Sequence, residues 1–425
     1  MMTTKSLYSD SSTRRHDIDW LRIILFGLLI WFHFVVFYPY QPEGLLGLPY
    51  AFVVAVMHQW RLAALFVISG MGTAFALRRR TWQQYVRERG SRLGIPLIFT
   101  IYILFFGIFE FTEKTTLLFT IFPGGDAMPY GHLWFIYNLL IYSIILTPLF
   151  HHVKVNPEGS IMRSVRYTMN IRAGLGILIL PPIILALNAI LFKPWEFGEV
   201  GMWWEFPRYM LYFLFGFLMI SAKEEYFKVL EMIRTPLTII TPFLAIIWFI
   251  MMLVSEVPSV MDGGWVDSGY PAFSVTATSA SIIQSFHAWF WCLLIFSWSS
   301  KMLNGPSKYL AYLNEAVYPT FIVHLHVTFP LIAILAIFQV GFFPAMLFAT
   351  PVLIVGVLTC FEVVRRAFIF RPIFGLRGGQ EKVVELFPYN STDERSLQVF
   401  FTIFFHGMSF GMVIVLMLSL VVLGG

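Results

Sequence analysis

The chain has little charge and almost no cysteine. Charged residues make up 12% of its 425 residues, and the two cysteines, Cys292 and Cys360, both fall inside apolar stretches. Two cysteines support neither a disulfide framework nor a metal cluster, so we expect no metal site. The first nineteen residues are polar and lack an apolar stretch followed by a small-residue cleavage site. We therefore expect no removable signal peptide.

Long apolar runs dominate the sequence instead. Apolar residues make up 58% of the chain, and its mean hydropathy is +0.74. Runs near 20 residues match the thickness of a bilayer when they are helical. The sequence therefore predicts an all-α, polytopic membrane helix bundle with a ten-span core and an additional eleventh span. The predicted spans are 20–40, 51–77, 93–112, 132–151, 173–192, 208–221, 235–254, 279–299, 317–337, 342–363 and 399–423.

The segments between these spans are too short for a separate globular domain. We predict a cytoplasmic N-terminal segment (1–19), a ten-span domain (20–378), a cytoplasmic linker (379–398) and an additional C-terminal transmembrane helix (399–425). The predicted outer loop 255–278 is rich in Asp and Gly, which favours turns, and it could border an acceptor site.

Basic residues are distributed unevenly between the predicted loops. If the N-terminus is cytoplasmic, 24 of the 29 Lys and Arg residues fall in cytoplasmic segments. This asymmetry follows the positive-inside rule and predicts a multi-pass protein of the plasma (inner) membrane. The net charge of +5 thus reflects orientation in a lipid bilayer, and we expect no nucleic-acid partner. The sequence leaves the oligomeric state open.

Arg22 and His33 lie in the first apolar stretch, separated by ten uncharged residues. Eleven steps along an α-helix bring both side chains to the same face, about 16 Å apart. An arginine in a membrane helix costs about 2.5–3.5 kcal/mol and usually faces a protein interior. The pair is therefore the strongest candidate functional site, and Asp19 is expected to form an ion pair with Arg22.

A basic hairpin joins the second and third predicted spans. Arg78 and Arg80 close one span, and Arg89 and Arg92 lead into the next. One interpretation is positive-inside topology with contact to lipid head groups. The other is a polyanion site, because Arg89 and Arg92 would be neighbours on a helix face and could bind a phosphate-rich ligand. A cytosolic coenzyme A thioester would suit such a patch.

These residues belong to a series of motifs. Asp19-Trp20-Leu21-Arg22, followed after ten residues by His33, resembles the first-helix signature of the acyltransferase-3 family of integral membrane acyltransferases, and Arg89-Gly90-Ser91-Arg92 resembles its second motif. The stretches that resemble the glucan-biosynthesis protein C branch of that family are Trp60-Arg61, Ile68-Ser69-Gly70-Met71-Gly72-Thr73, His132-Leu133-Trp134-Phe135, Asn314-Glu315-Ala316-Val317-Tyr318-Pro319 and Ile322-Val323-His324. Leu325 departs from that branch, which commonly has glutamine there.

The resemblance implies transfer of a small acyl group from cytosolic acyl-coenzyme A to a carbohydrate hydroxyl presented toward the outer face. Acyl-coenzyme A would be a donor substrate, with no permanently bound cofactor. In that family the first-helix histidine is taken as the catalytic residue, so we expect His33 and Arg22 to be catalytic. The arginine motif implies donor binding by Arg89 and Arg92, and Arg78 and Arg80 lie beside it. Acetyl and succinyl groups both remain candidates.

Five further residues are candidates for substrate contact. Arg61 lies near the outer end of the second span, where it could extend toward solvent or face the substrate. Glu315 and Tyr318 open the ninth span, and His324 follows about two turns deeper; we expect these three to form a second polar cluster that orients a substrate or His33. His132, at the outer mouth of the fourth span, could hydrogen-bond a sugar or be part of an aromatic-rich membrane interface.

Two other functions compete with acyl transfer. A secondary transporter or exporter of a polar metabolite could use Arg22 and His33 as a binding and proton-relay site. The sequence contains neither an inverted repeat nor paired broken helices, which argues against that class. An inactive relative kept as a scaffold is the third possibility, and the intact motif residues argue against it.

Overall fold

The computed structural model describes residues 15–101, 131–192, 196–197, 205–254, 266–267, 274–366 and 371–376. Helices account for nearly all of these residues. The thirteen α-helices described are α1 (His16–Phe37), α2 (Gly47–Arg78), α3 (Trp82–Arg89), α4 (Ile95–Phe99), α5 (Trp134–Ile145), α6 (Thr147–Val155), α7 (Ser160–Asn170), α8 (Leu175–Phe192), α9 (Glu205–Ser221), α10 (Lys223–Val254), α11 (Val275–Met302), α12 (Leu310–Ile337) and α13 (Phe342–Arg366).

Short elements connect several of these helices. A π-helical turn, Gly90–Gly94, joins α3 to α4, and a 3-10 turn, Gly131–Leu133, precedes α5. Two strands of two residues each, β1 (Glu196–Phe197) and β2 (Val266–Asp267), pair antiparallel, with Glu196 opposite Asp267. The sequence did not predict this small ladder, which brings the connection after α8 next to the connection after α10.

Seven of the described helices are long and apolar enough to cross a membrane, and the bent pair α5–α6 makes up to eight. The predicted all-α membrane bundle is therefore confirmed, while the eleven-span count stays a prediction. The sixth predicted span corresponds to α9, which has only 17 residues. Most of the predicted third span, the linker 379–398 and the helix 399–425 lie outside the described residues.

The fourth predicted span is bent. α5 and α6 meet at an angle of 50°, where the sequence predicted one helix over 132–151. Pro148 stands in the first turn of α6. A proline has no backbone N–H to donate to the residue four positions earlier, and its ring clashes with that carbonyl, so a helix bends or breaks there.

The helix α2 is the most buried of the long helices described: 78% of the residues in its 18-residue apolar segment are buried. It packs closely against α9 through two glycines. A Cβ placed on Gly70 would lie 1.9 Å from the Phe213 carbonyl oxygen, and one placed on Gly216 would lie 1.9 Å from the Val67 carbonyl oxygen. Small residues at such a crossing allow two backbones to touch, which is a common basis for helix association in membranes.

The helices α1 and α12 also pack side by side. Asp17 and Asp19 lie in the first turn of α1, where carboxylates interact favourably with the helix dipole. The helix ends at Phe37 because Tyr38 precedes Pro39, and a residue before proline disfavours the helical conformation. This boundary places His33 about one turn from the end of α1.

Candidate active site

His33 and His324 form the centre of the candidate site. His33 is on α1, and His324 is on the adjacent α12. The distance between His33 Nδ1 and His324 Nε2 is 3.0 Å, and the two rings stack with their centroids 4.9 Å apart. His324 is fully buried, whereas His33 remains partly exposed. This direct contact is consistent with the predicted role of His324 in orienting His33.

The hydrogen bonds define which ring nitrogens carry protons when both imidazoles are neutral. His324 Nδ1 lies 2.6 Å from the Phe321 carbonyl oxygen. A carbonyl only accepts, so Nδ1 of His324 carries the proton and its Nε2 has a lone pair. That lone pair accepts the bond from His33 Nδ1. His33 Nε2 is then unprotonated, which is the state that a general base requires.

His132 completes a histidine cluster, a name used here for His33, His132 and His324. The ring of His132 meets His324 edge-on, with centroids 4.8 Å apart, and also contacts Phe321. The 3-10 turn before α5 positions this side chain. His132 is therefore part of the bundle interior rather than of a membrane-interface belt. No group of three or more His, Cys, Asp or Glu side chains among the described residues could hold a metal ion.

Arg61 is a buried cation close to this cluster. Only 3% of its surface is exposed, and its guanidinium lies 3.6 Å from the centre of the Phe32 ring. Its Nε and Nη1 atoms have no hydrogen-bond partner among the described residues. Phe32 directly precedes His33 on α1, so the guanidinium lies near the histidine cluster. The side chain faces the bundle and does not extend toward solvent. Contact with a substrate, the other role considered for Arg61, stays a prediction.

A buried guanidinium without a carboxylate partner is costly unless something else compensates its charge. Stacking on an aromatic ring recovers about 2 kcal/mol at a desolvated site. Part of the desolvation cost therefore remains uncompensated in the resting protein. A negative charge that forms near Arg61 only during a reaction would compensate it, and such an interaction stabilises a transition state more than the resting protein.

Arg22 lies at the opposite end of α1 from His33. Its Nη1 is 3.7 Å from Asp19 Oδ1, so the predicted ion pair is present. A Cβ on Gly72 would come within 3.3 Å of Arg22 Nη2. The glycine therefore gives the guanidinium room against α2. The structure does not bring Arg22 next to His33, because the two residues are eleven positions apart on the same helix.

Arg89 and Arg92 lie at the same end as Arg22 but have different partners. Arg89 Nη2 donates to Thr73 Oγ1 at 3.4 Å. Arg92 Nε donates to the Gly375 carbonyl at 3.3 Å, and its Nη1 lies 3.4 Å from Glu88. The π-helical turn starts between the two arginines and has a different periodicity from the α-helix on which their predicted face was based. Arg89 and Arg92 thus make different contacts within the described residues, and their joint binding of a phosphate-rich ligand stays a prediction.

The other two arginines of the hairpin differ in availability. Arg80 forms an ion pair with Glu88 and donates to the Ala76 carbonyl, so much of its hydrogen-bonding capacity is used within the protein. Arg78 is exposed at the end of α2, with its guanidinium 5.7 Å from the Phe75 ring. Of these two, Arg78 is the better placed to meet a ligand from solution.

Glu315 and Tyr318 belong to the arginine end of the bundle and not to the histidine cluster. Arg371 Nη2 donates to Glu315 Oε1 at 3.2 Å. Tyr318 packs against Gly375, whose φ of +72° is a conformation that glycine adopts without strain. The predicted polar cluster of Glu315, Tyr318 and His324 is therefore divided between two places, because His324 turns to His33.

Comparison with known proteins identifies the class of this bundle. Residues 15–365 match the family model of the Acyl_transf_3 acyltransferase domain. The match covers most of the chain, including the histidine cluster and the arginines Arg22, Arg89 and Arg92, and the protein belongs to this acyltransferase family. It is thus a membrane acyltransferase, and the family resemblance read from its motifs is confirmed. Neither the curated proteins nor the solved structures contain a match.

Sequence reasoning missed several residues that hold the site together. Thr73 bridges Arg89 to Tyr85, whose hydroxyl lies 3.1 Å from Thr73 Oγ1. Thr73 ends one of the recognised motifs, which was the available signal. Gly375 is distant in sequence from Arg92, so no local pattern could have indicated their contact.

Proposed function

We propose that this acyltransferase moves a small acyl group from cytosolic acyl-coenzyme A to a hydroxyl of a glycan or related acceptor at the outer face of the plasma membrane. One observation carries the proposal: the 3.0 Å contact between His33 Nδ1 and His324 Nε2, which leaves His33 Nε2 as a lone-pair base. A sugar hydroxyl is a poor nucleophile, and an oriented neutral imidazole is the group that commonly activates it.

The chemistry proceeds by direct transfer. His33 Nε2 takes the proton of the acceptor hydroxyl as its oxygen attacks the thioester carbonyl. The carbonyl oxygen becomes an oxyanion, whose charge Arg61 stabilises. Collapse of this intermediate re-forms the carbonyl and breaks the carbon–sulfur bond. The departing coenzyme A thiolate recovers the proton from the His33 imidazolium, so the base is regenerated and an ester is formed.

The donor enters from the arginine end. Arg92 has 45% of its side chain exposed and Arg22 has 30%, so both can reach an anionic ligand there. Arg89 is partly buried, and Arg78 is exposed at the end of α2. Arginine suits phosphate because its planar guanidinium donates two parallel hydrogen bonds. The eleven residues from Arg22 to His33 span about 16 Å along α1, a distance that an extended donor arm would cross.

The acceptor and the acyl group follow from the resemblance to the glucan-biosynthesis protein C branch. We propose a cell-envelope glucan as the acceptor and a succinyl or acetyl group as the cargo. In this arrangement the N-terminus and the arginine end are cytoplasmic, which the distribution of basic residues supports. The histidine cluster then lies toward the outer side.

The test compares envelope glycans from a deletion strain with those of its parent by mass spectrometry. The account predicts loss of an acetyl or succinyl mass increment, restored by the wild-type gene and not by the Arg89→Ala/Arg92→Ala double variant at ordinary donor levels. Unchanged glycans would contradict the proposed acceptor. Substrate flux into proteoliposomes without any labelled acyl-coenzyme A being consumed would instead support the transporter alternative.

A further inference from the structure

One turn of α12 carries three buried polar atoms that have no hydrogen-bond partner within the described part of the chain. They are the amide nitrogen and oxygen of Asn314 and the hydroxyl oxygen of Tyr318. The two residues are four positions apart, so their side chains lie next to each other on one face of the helix. Both residues are half-buried, and these polar atoms are shielded from solvent.

Such a concentration of unsatisfied groups is unusual. Leaving a buried donor or acceptor without a hydrogen bond costs about 1–3 kcal/mol, and native proteins keep few such groups. Other unsatisfied buried atoms occur in the described part of the chain, for example two on Arg61 and the Asn188 side-chain oxygen in α8. At Asn314 an amide donor and an amide acceptor are both unsatisfied, and the Tyr318 hydroxyl adjoins them. A ligand with one donor and two acceptors would satisfy this set.

The surroundings point to the donor end of the proposed reaction. A Cβ on Gly375 would lie 2.3 Å from the Tyr318 ring and 2.9 Å from the Arg92 carbonyl oxygen, so these residues are in close contact. Arg92 also donates to the Gly375 carbonyl. The Tyr318 ring and Arg92, the arginine that we assign to donor phosphate, therefore both contact Gly375. The neighbouring Glu315 is already paired with Arg371, which leaves the site without a competing unpaired carboxylate from that residue.

Along α12, Tyr318 also lies between the arginine end of the bundle and the histidine cluster. It precedes His324 by six residues, which is about 9 Å along α12. A donor with its phosphates at the arginines and its thioester at His33 would pass this turn. The middle of coenzyme A is the pantetheine arm, whose secondary amides each present one N–H donor and one carbonyl acceptor.

We propose that Asn314 and Tyr318 form an amide-binding site for the pantetheine arm of the acyl donor. This inference rests on the proposed function. The Asn314 oxygen accepts the N–H of a pantetheine amide, its nitrogen donates to the carbonyl, and the Tyr318 hydroxyl donates to a second acceptor on the arm. The site would thus favour donors in which an amide lies between the phosphates and the thioester at the spacing found in coenzyme A.

The experiment measures binding of two ligands to the full-length protein in detergent by isothermal titration calorimetry. Coenzyme A contains the amides, whereas adenosine 3′,5′-bisphosphate contains the nucleotide phosphates without them. We expect Asn314→Leu to weaken coenzyme A binding by about 10- to 100-fold, as the loss of two or more hydrogen bonds implies, and to leave bisphosphate binding unchanged. Tyr318→Phe keeps the ring against Gly375 and should produce a smaller loss for coenzyme A alone.

Asn188→Leu is the matched control, because it removes the same amide from a half-buried position on α8. It should change binding of neither ligand. Equal losses of both ligands in Asn314→Leu and Tyr318→Phe, or no loss in either variant, would overturn the amide site while leaving the donor assignment intact. A wild-type protein that binds neither ligand would overturn the proposed donor and this site together.

Discussion

His324 is expected to act on the reaction through His33. Replacing it with phenylalanine keeps a ring of similar shape against His132 and Phe321 but removes the acceptor for the His33 Nδ1 proton. An unsatisfied buried donor costs about 1–3 kcal/mol, and 1.36 kcal/mol corresponds to tenfold in rate. If that cost falls on the oriented, reactive state of His33, kcat should drop by about 5- to 150-fold. The donor KM should not change, because the contact is remote from the arginines.

His324→Gln provides the test of mechanism. The glutamine amide oxygen can occupy the position of Nε2 and accept from His33, so this variant should recover most of the loss. The assay measures release of coenzyme A thiol from acyl-coenzyme A by purified protein, at varied donor concentrations. A phenylalanine variant with wild-type kcat would refute the orienting role. A glutamine variant as slow as the phenylalanine variant would show that His324 contributes by something other than accepting the hydrogen bond from His33.

Two further variants test packing and charge. Gly70→Ala should lower the thermal unfolding midpoint in detergent, because its Cβ would meet the Phe213 carbonyl and overpacking costs about 1–3 kcal/mol. Gly27→Ala, whose Cβ would lie in open space on α1, should not lower the midpoint. Equal midpoints for the two variants would contradict the close α2–α9 crossing. Arg61→Met should reduce turnover by about 10²- to 10³-fold, as loss of an oxyanion donor does, without lowering the unfolding midpoint, since an unpaired buried charge is removed. A large loss of stability in this variant would indicate a structural arginine instead.

The sequence was informative about fold class because hydropathy and charge asymmetry act on whole segments. Seven predicted spans coincide with long apolar helices, and their existence depends on composition rather than on any single contact. Boundaries were less predictable. The 50° bend between α5 and α6 depends on how Pro148 is accommodated by its neighbours, and α10 begins at Lys223 rather than at 235 because polar residues extend that helix beyond its apolar part.

The site was only partly predictable for a physical reason. Arg22, His33 and Asp19 share one helix, so periodicity alone indicated their relation, and the Asp19–Arg22 ion pair is present. The bond between His33 and His324 joins residues 291 positions apart, and only the packing of α1 against α12 creates it. Likewise, Arg92 meets Gly375 through tertiary packing that no local pattern encodes.

The central claim is that the His33 imidazole takes the proton of the acceptor hydroxyl. Its most direct test is transfer of a labelled acyl group from acyl-coenzyme A by purified His33→Ala protein reconstituted in liposomes with the acceptor glycan. The account predicts no transfer above the protein-free rate, with coenzyme A binding and the unfolding midpoint close to those of the wild type. Transfer at the wild-type rate by this variant would contradict it.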